Sequence, residues 1–398
     1  KPYNISVKYR WDPWEVNLGA NLVPPQEKRI IPALEAMKRI WIDPFNAETG
    51  SDAFIRKYAP KEFIMVGSAE FLSNGNMLLG QAEGGKKIAL YVVNNFSTSN
   101  IDALRMMLHT IQHEFGHILH QTVMYPAEFK SITPDYTGTW FNMSDEEAQS
   151  RGFATSYSRS NPDDDFVEML ATMLIEGKNR WEELLSELNP TAQAALRRKE
   201  AIVVDYFKNA WKIDFYSLQA RTQEALNRLS PDPVEDYLGF NKKFKALLAI
   251  PANTKVVPPS SDAFLSAFNE VKDSIEKLSK DTVTIPEMAL VFTSEKDADL
   301  RIVLQDTYRD PNLQEPIIAR YAYTYTKDAA GVYTFSYKGG LPPYGPSIER
   351  YMLPLINYFK NTPFKVEWYK FSPNNTRRPK LILTPQQAPN NYFIGLAL

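Results

Sequence analysis

The segment LHTIQHEFGHILH, residues 108–120, contains all four histidines of the 398-residue chain: His109, His113, His117 and His120. Within it, HEFGH is an H-E-x-x-H pattern, which places two histidines on the same face of a helix, one turn apart. Two imidazole rings placed in this way can bind one Zn²⁺, and the intervening Glu114 can act on a water molecule at the metal. We therefore predict a zinc site at His113 and His117 with Glu114 as its general base.

A single helix over Ile101–Met124 is expected to carry this motif. Asn100 can cap its first turn, and Pro126 follows its expected end. At about 100° per residue, apolar side chains cover one side of the helix. His113 and His117 project from the opposite side, where they would face a cleft.

The third zinc ligand must be a carboxylate. The chain has no cysteine, and no histidine follows His120. A metzincin would have glycine at position 120 and a third histidine at position 123, whereas this chain has His120 and Val123. The metzincin pattern is therefore excluded, and a carboxylate on a second helix packed against the first is expected.

The segment NPDDDFVEMLATML, residues 161–174, provides such a carboxylate. Asn161 can cap a helix that begins at Pro162, and the acidic residues of its first turn suit the helix dipole. Glu168 interrupts the apolar run that follows, and a carboxylate is costly to bury unless it is paired or bound to a metal. We predict Glu168 as the third ligand. The alternative is that Glu168 points to solvent at the edge of the apolar stripe.

Four further side chains are candidates for supporting roles. Asp164 lies one turn before Glu168 and could accept the outer N–H of a liganding histidine, or it could simply cap the helix. Tyr157 could donate its hydroxyl to the oxyanion of a tetrahedral intermediate, although a packing role is the alternative. His120 is expected to bond to groups around the ligands, and His109 to line the cleft or meet solvent.

The pattern of elements predicts an α+β protein with two domains. Short β-like runs between Glu62 and Asn94 precede helical patterns that extend to about Leu248. Residues 1–250 are predicted to form a zincin-like metallopeptidase domain with a small sheet, an active-site helix and a helical subdomain. The Pro- and Ser-rich stretch 251–262 is predicted to be a linker. Residues 263–398 are predicted to form a smaller α+β accessory domain of unknown function.

Composition excludes several other classes of function. The 45 basic and 47 acidic residues give a net charge of −2, so neither nucleic acid nor an anionic membrane is an expected partner. The absence of cysteine excludes disulfides, thiolate catalysis and cysteine-ligated zinc. No apolar run approaches the length of about 18 residues that a transmembrane span requires.

HEFGHILHQ (residues 113–121) and GFATSYSRSNPDDDFVEMLA (residues 152–171) together resemble the zinc-binding metallopeptidases found among surface lipoproteins of Bacteroidota-type bacteria. The resemblance covers about residues 1–250, and the spacing agrees at both helices. It implies that His113, His117 and Glu168 bind zinc. It also implies that Glu114 is the catalytic glutamate and that Tyr157 is the oxyanion donor.

The resemblance also implies a location and partners. Such proteins accompany TonB-dependent import systems, so this chain is expected to be an exported lipoprotein, at the cell surface or in the periplasm and anchored to the outer membrane. A TonB-dependent receptor and its surface-binding lipoprotein would be its partners. Either the expected lipobox cysteine precedes the first residue of this sequence, or the anchor is absent.

We therefore predict a zinc metallopeptidase of the gluzincin type that acts on peptide or protein substrates. The strand near Lys87–Asn94 could present an open edge to an extended substrate. One alternative is a zinc hydrolase of non-peptide bonds. The other is a non-catalytic binding lipoprotein, but Glu114 argues against it, because a structural zinc site uses four protein ligands and needs no general base.

Overall fold

The part of the chain that the computed structural model describes consists of residues 3–11, 21–71, 77–83, 86–249, 257–280, 282–306 and 316–398. The chain divides into two compact units, Lys1–Pro231 and Asp232–Leu398, each with its own apolar core. Residues 232–249, which the sequence analysis assigned to the first domain, lie in the second unit. Residues 251–256 of the predicted linker lie outside the described residues. The prediction of a mixed helix and sheet fold is confirmed.

The first unit is mainly helical in its described part. Its α-helices are α1 (Glu27–Met37), α2 (Asp43–Thr49), α3 (Ala53–Tyr58), α4 (Ile101–Thr122), α5 (Asp145–Gln149), α6 (Pro162–Glu187), α7 (Pro190–Tyr206) and α8 (Phe215–Leu229). π-Helical turns continue α1 at Lys38–Ile42 and α7 at Phe207–Trp211. The apolar faces of these helices meet in one core around the fully buried Trp41, Phe115 and Phe166.

A four-stranded sheet lies beside these helices. Its strands, in spatial order, are β1 (Ser6–Lys8), β2 (Glu62–Met65), β6 (Lys87–Leu90) and β5 (Gly80–Glu83), and β3 (Glu70–Phe71) pairs with β4 (Met77–Leu78) in a separate hairpin. Strands β1, β2 and β6 run parallel, whereas β5 is antiparallel to β6. Lys87–Leu90 therefore lies between two strands, and the predicted open edge at Lys87–Asn94 is wrong: within the described residues, β5 forms that edge.

Helices α4 and α6 begin as the sequence predicts. The side chain of Asn100 accepts hydrogen bonds from the backbone at the start of α4, and Asn161 does the same for α6. The two helices pack closely at Gly116 of the HEFGH motif. A Cβ there would lie 2.8 Å from Leu170 Cδ2 and 2.9 Å from Val167 Cγ1. Glycine at this position therefore lets α6 approach the histidine-bearing part of α4.

The second unit combines a large antiparallel sheet with helices. Its helices are α9 (Val234–Tyr237), α10 (Asp262–Ser279) and α11 (Gly345–Phe359). Its strands are β7 (Ala246–Ala249), β8 (Val283–Thr284), β9 (Met288–Phe292), β10 (Asp297–Asp306), β11 (Ile317–Lys327), β12 (Val332–Leu341), β13 (Pro363–Trp368), β14 (Lys380–Pro385) and β15 (Phe393–Ala397). Strands β7 and β9–β15 pair in a closed ring, because β10 contacts both β9 and β11. Aromatic side chains from strands and helices fill its core.

Candidate metal centre

The centre lies where the histidine face of α4 meets the first two turns of α6. Two groups of side chains there are close enough to share a cation, among the residues that the structure describes. One group consists of His109, His113 and Glu168, and the other of His113, His117 and Asp164. His113 belongs to both groups, so the distances between donor atoms decide which group suits a metal ion.

The group that contains Asp164 has the spacing of a zinc site. The Nε2 atoms of His113 and His117 lie 3.1 Å apart. Asp164 Oδ1 lies 3.1 Å from Nε2 of His117 and 3.7 Å from Nε2 of His113. Ligand atoms at the usual bond lengths from a tetrahedral Zn²⁺ are separated by about 3.3 Å. The three atoms therefore fit a single zinc ion, with one coordination position left for water or substrate.

Glu168 faces the other nitrogen of the His113 ring. Its Oε1 lies 2.7 Å from His113 Nδ1 and 2.8 Å from His109 Nε2, and its Oε2 accepts a hydrogen bond from Thr155 Oγ1 at 2.6 Å. These are hydrogen-bond distances, shorter than the spacing of two ligands on one zinc ion. The structure thus differs from the sequence prediction: it brings Asp164, not Glu168, to the Nε2 atoms of His113 and His117.

The electrostatic environment suits these roles. Burial tends to raise the pKa of Glu168, but His109 and His113 hold it well below its usual value. Burial also opposes ionisation of Asp164, yet hydrogen bonds from His117 and Ser160 lower its pKa. Burial disfavours protonated His113, but Glu168 outweighs that effect and raises the pKa of the imidazole. Both carboxylates are therefore ionised and can accept hydrogen bonds or bind a cation.

His120 contacts the outer nitrogen of His117. Its Nε2 lies 2.9 Å from His117 Nδ1, so a proton on that Nδ1 leaves His117 Nε2 free to bind metal. Burial and the neighbouring His117 lower the pKa of His120 to about 4. The neutral ring can therefore accept a hydrogen bond from His117 Nδ1–H through its Nε2. His120 Nδ1 is buried and has no hydrogen-bond partner among the described residues.

Glu114 lies in a cleft whose lining includes His113, one of the three residues of the candidate zinc site. The cleft has a volume of about 320 Å³, and its lining includes Glu114, His113 and Gly80. Gly80 is the first residue of the edge strand β5 and lies directly against α4. A Cβ on Gly80 would be 2.3 Å from Thr110 Cγ2 and 3.1 Å from Glu114 Oε1. Glycine therefore lets the edge strand reach the predicted general base.

Tyr157 lines the same cleft, on the wall formed by the segment before α6. Its ring centroid is 5.6 Å from that of His113 and 4.9 Å from that of Trp140. Burial and the charge of Asp164 raise the pKa of its phenol, so the hydroxyl keeps its proton and can donate a hydrogen bond. His109 also lines the cleft, which is one of the two positions that the sequence analysis expected for it.

Several residues at the site were missed by the sequence analysis. Thr155 joins Tyr157's segment to Glu168, and Asp145 accepts a hydrogen bond from the Ser156 backbone N–H at 2.7 Å. Gly80 and Trp140 line the cleft. Gly116 was also missed, although its position could have been noticed in the sequence. Glycine in the interior of a helix often marks the close approach of another element.

Comparisons with known proteins identify the family to which the chain belongs. Residues 1–216 match the model of a protein family described as "Putative zinc-binding metallo-peptidase". The same description is given to a protein of known crystal structure from Bacteroides caccae ATCC 43185. It shares 31% sequence identity with this chain, over 58% of this chain and 90% of that one, with a TM-score of 0.49. No curated protein matches the chain. Because the family model spans more than half of the 398 residues, the chain belongs to this family of zinc-binding metallo-peptidases.

Proposed function

We propose that the protein is a zinc-dependent peptidase that hydrolyses peptide bonds. One observation carries this proposal: His113 Nε2, His117 Nε2 and Asp164 Oδ1 converge with the spacing of three ligands on one zinc ion, and Glu114 lines the same cleft as His113. Three protein ligands, an open position and an adjacent general base are typical of catalytic zinc sites, whereas structural zinc sites have four protein ligands. Under this proposal the four-stranded sheet, α4 and the helices after it correspond to the parts of a zincin-like domain.

His113, His117 and Asp164 would hold the ion. The predicted gluzincin class has a glutamate as its third ligand. The proposal keeps the H-E-x-x-H helix of that class, but it makes Asp164 the third ligand and Glu168 the hydrogen-bond partner of a liganding histidine. Glu168 would fix the ring of His113 through the Nδ1–H hydrogen bond, as carboxylates around zinc-bound histidines commonly do. Zinc, when bound, would supply Lewis-acid activation of a water molecule and of the substrate carbonyl.

The chain's own side chains would move the protons. Glu114 would take a proton from the attacking water and deliver it to the leaving amine. Tyr157 would donate its hydroxyl hydrogen to the negative charge that develops on the carbonyl oxygen. The raised pKa of Tyr157 supports this role, since a phenol that stays protonated remains a donor throughout the reaction.

Peptide is the substrate class favoured by the edge strand. Strand β5 is antiparallel to β6 and begins at Gly80, against Glu114. An extended peptide could pair with the edge of β5 that faces no other strand among the described residues, and so present a backbone carbonyl to the cleft. A non-peptide substrate would gain nothing from this edge.

The cellular location is a further part of the proposal. No helix in the described part of the chain is long and apolar enough to cross a bilayer. The sequence resemblance to surface lipoproteins suggests export and anchoring to the outer membrane, beside a TonB-dependent receptor and its binding lipoprotein. Fractionation of the producing cells, followed by co-purification with cross-linking, would test both expectations.

The test of the proposed function measures zinc content and peptide cleavage on the same preparations. Wild type, Glu114→Gln and His113→Ala are purified, loaded with zinc and passed over a desalting column. They are then assayed by mass spectrometry on a peptide library and on ester and glycan substrates. We expect one zinc per chain and cleavage for wild type, zinc without cleavage for Glu114→Gln, and neither for His113→Ala. Zinc binding with cleavage of esters or glycans only would indicate the non-peptide hydrolase. Zinc binding without any hydrolysis would favour the binding lipoprotein.

A further inference from the structure

We propose that the cleft selects peptides with a lysine or arginine side chain next to the cleaved bond, and that Asp145 and Trp140 recognise this side chain. This inference rests on the proposed peptidase function and names its substrate class. It starts from the charges that line the cleft. Among the described lining residues, the carboxylates belong to Glu114, Asp145 and Glu168, and none is a lysine or an arginine.

The three carboxylates differ in their burial and in their hydrogen-bond partners. Glu168 is buried and accepts hydrogen bonds from two histidines and a threonine. Glu114 is buried and is assigned to proton transfer. Asp145, by contrast, is exposed, and only its Oδ1 is occupied, by the Ser156 backbone N–H at 2.7 Å. Within the described part of the chain, no donor or cation is paired with Asp145 Oδ2. Among the described lining residues, Asp145 thus offers a carboxylate oxygen that neither the candidate zinc site nor the proposed proton transfer uses.

The cleft that Asp145 lines also contains apolar and aromatic side chains. Trp140 is half-buried and stands edge-on to Tyr157, with ring centroids 4.9 Å apart, and Met77 and Leu79 also line the cleft. A lysine or arginine side chain matches this combination, because its aliphatic stem packs on apolar surface while its charged head needs a carboxylate or an aromatic face. An acidic side chain would be repelled by the same cleft.

The experiment compares peptides that are identical except at one residue beside the cleaved bond: lysine, arginine, norleucine or glutamate. Norleucine keeps the stem of lysine and removes its charge. With zinc-loaded wild-type protein, we expect kcat/KM for lysine and arginine to exceed that for norleucine by roughly 10-fold, in line with a partly desolvated cation on an aromatic face and a carboxylate. Glutamate should be the poorest of the four.

Asp145→Asn tests the residue assignment. Asparagine keeps an oxygen that can accept from the Ser156 N–H, so the segment that carries Tyr157 stays in place while the negative charge is removed. We expect this variant to lose the preference for lysine and arginine and to cleave the norleucine peptide as wild type does. The matched control is Glu146→Gln, which removes a charge from the next residue of α5, an exposed side chain outside the cleft lining. It should keep the preference.

Two results would overturn the inference. Wild type could cleave the norleucine peptide as well as the lysine peptide, or Asp145→Asn could slow all four peptides equally, which would make Asp145 only a positioning residue for Tyr157. In either case, zinc-dependent cleavage lost in Glu114→Gln would leave the proposed function standing. Peptide affinities for the zinc-loaded Glu114→Gln variant provide a readout without turnover. A preference for lysine over norleucine there supports the subsite even if wild type hydrolyses none of the peptides, and equal affinities reject it.

Discussion

Glu168 Oε1 lies 2.7 Å from His113 Nδ1, on the opposite side of the imidazole ring from the Nε2 atom that faces His117 and Asp164. One ring therefore joins a buried carboxylate to the candidate zinc position. A carboxylate in Glu168's position can set the tautomer of His113, but it is badly placed to bind the same ion through its own oxygen.

Variants of the two carboxylates should therefore differ in zinc binding. Asp164→Ala removes a proposed ligand, and we expect it to lose stoichiometric zinc. Glu168→Gln keeps an oxygen that can accept from His113 Nδ1–H, and we expect one zinc per chain with an affinity about 10-fold to 100-fold weaker than wild type. Competition with a chromophoric chelator gives the affinities, and the visible spectrum of the Co²⁺-substituted proteins reports the ligand set. The opposite ranking of the two variants would restore Glu168 as the third ligand.

The helices that carry the site could be predicted from local sequence. Asn100 and Asn161 cap α4 and α6 as expected, since capping depends on the residue at the helix start and little else. The motif spacing also placed both histidines on one helix face. The roles of Asp164 and Glu168 could not be predicted in the same way. The two residues lie one turn apart on the same face of α6, so periodicity cannot distinguish them.

The choice between these carboxylates depends on how α6 crosses α4. Where the helices cross, Val167 and Leu170 pack close to Gly116. Contacts of this kind, between separate helices, cannot be predicted from the periodicity of either helix. The edge strand was misplaced for a related reason. Both β5 and β6 read as short β-like runs, and only the pairing of the sheet shows which of them lies outside.

Gly80→Ala should impair catalysis by a steric route. The backbone of Gly80 is not in the left-handed region, so alanine is strained only by its Cβ, which would lie 2.3 Å from Thr110 Cγ2 and 3.1 Å from Glu114 Oε1. Displacement of β5 or Glu114 to relieve this contact should lower kcat/KM by about 10-fold or more, and overpacking should reduce stability by about 1–3 kcal/mol.

Thr110→Ser provides the matched rescue. It removes the Cγ2 atom but keeps the hydroxyl that donates to Met106 O at 2.9 Å. Combined with Gly80→Ala, it should recover most of the lost activity and raise the midpoint of thermal unfolding, while Thr110→Ser alone should change little. If Gly80→Ala and the double variant were equally active, the contact with Thr110 would not be the cause of the activity lost in Gly80→Ala.

Tyr157→Phe should slow the chemical step and leave zinc binding intact. The phenol ring packs against Trp140, and phenylalanine preserves that packing while it removes the hydroxyl donor. Loss of one oxyanion donor typically lowers kcat about 10²-fold to 10³-fold. We expect that loss in kcat with little change in KM and with one zinc per chain. An unchanged kcat would assign Tyr157 to packing alone.

Removal of one partner from the buried pair of Lys199 and Asp165 should destabilise the first unit. Both side chains are fully buried, with Lys199 Nζ 2.6 Å from Asp165 Oδ2 and 2.9 Å from Gly152 O. Burial raises the pKa of Asp165 to about 6 and lowers that of Lys199, so each charge depends on the other to offset its desolvation. The pair also ties α6, next to Asp164, to the segment before it.

Lys199→Met leaves the Asp165 carboxylate without its cation and should reduce the free energy of unfolding by about 3–5 kcal/mol, as measured by urea denaturation of the zinc-loaded full chain. In the double variant Lys199→Met/Asp165→Asn no charge remains to be buried, so the loss should be clearly smaller than the sum of the two single losses. Additive losses would mean that the two charges do not stabilise each other and that Lys199 acts through its contacts with Gly152 and Phe153 alone.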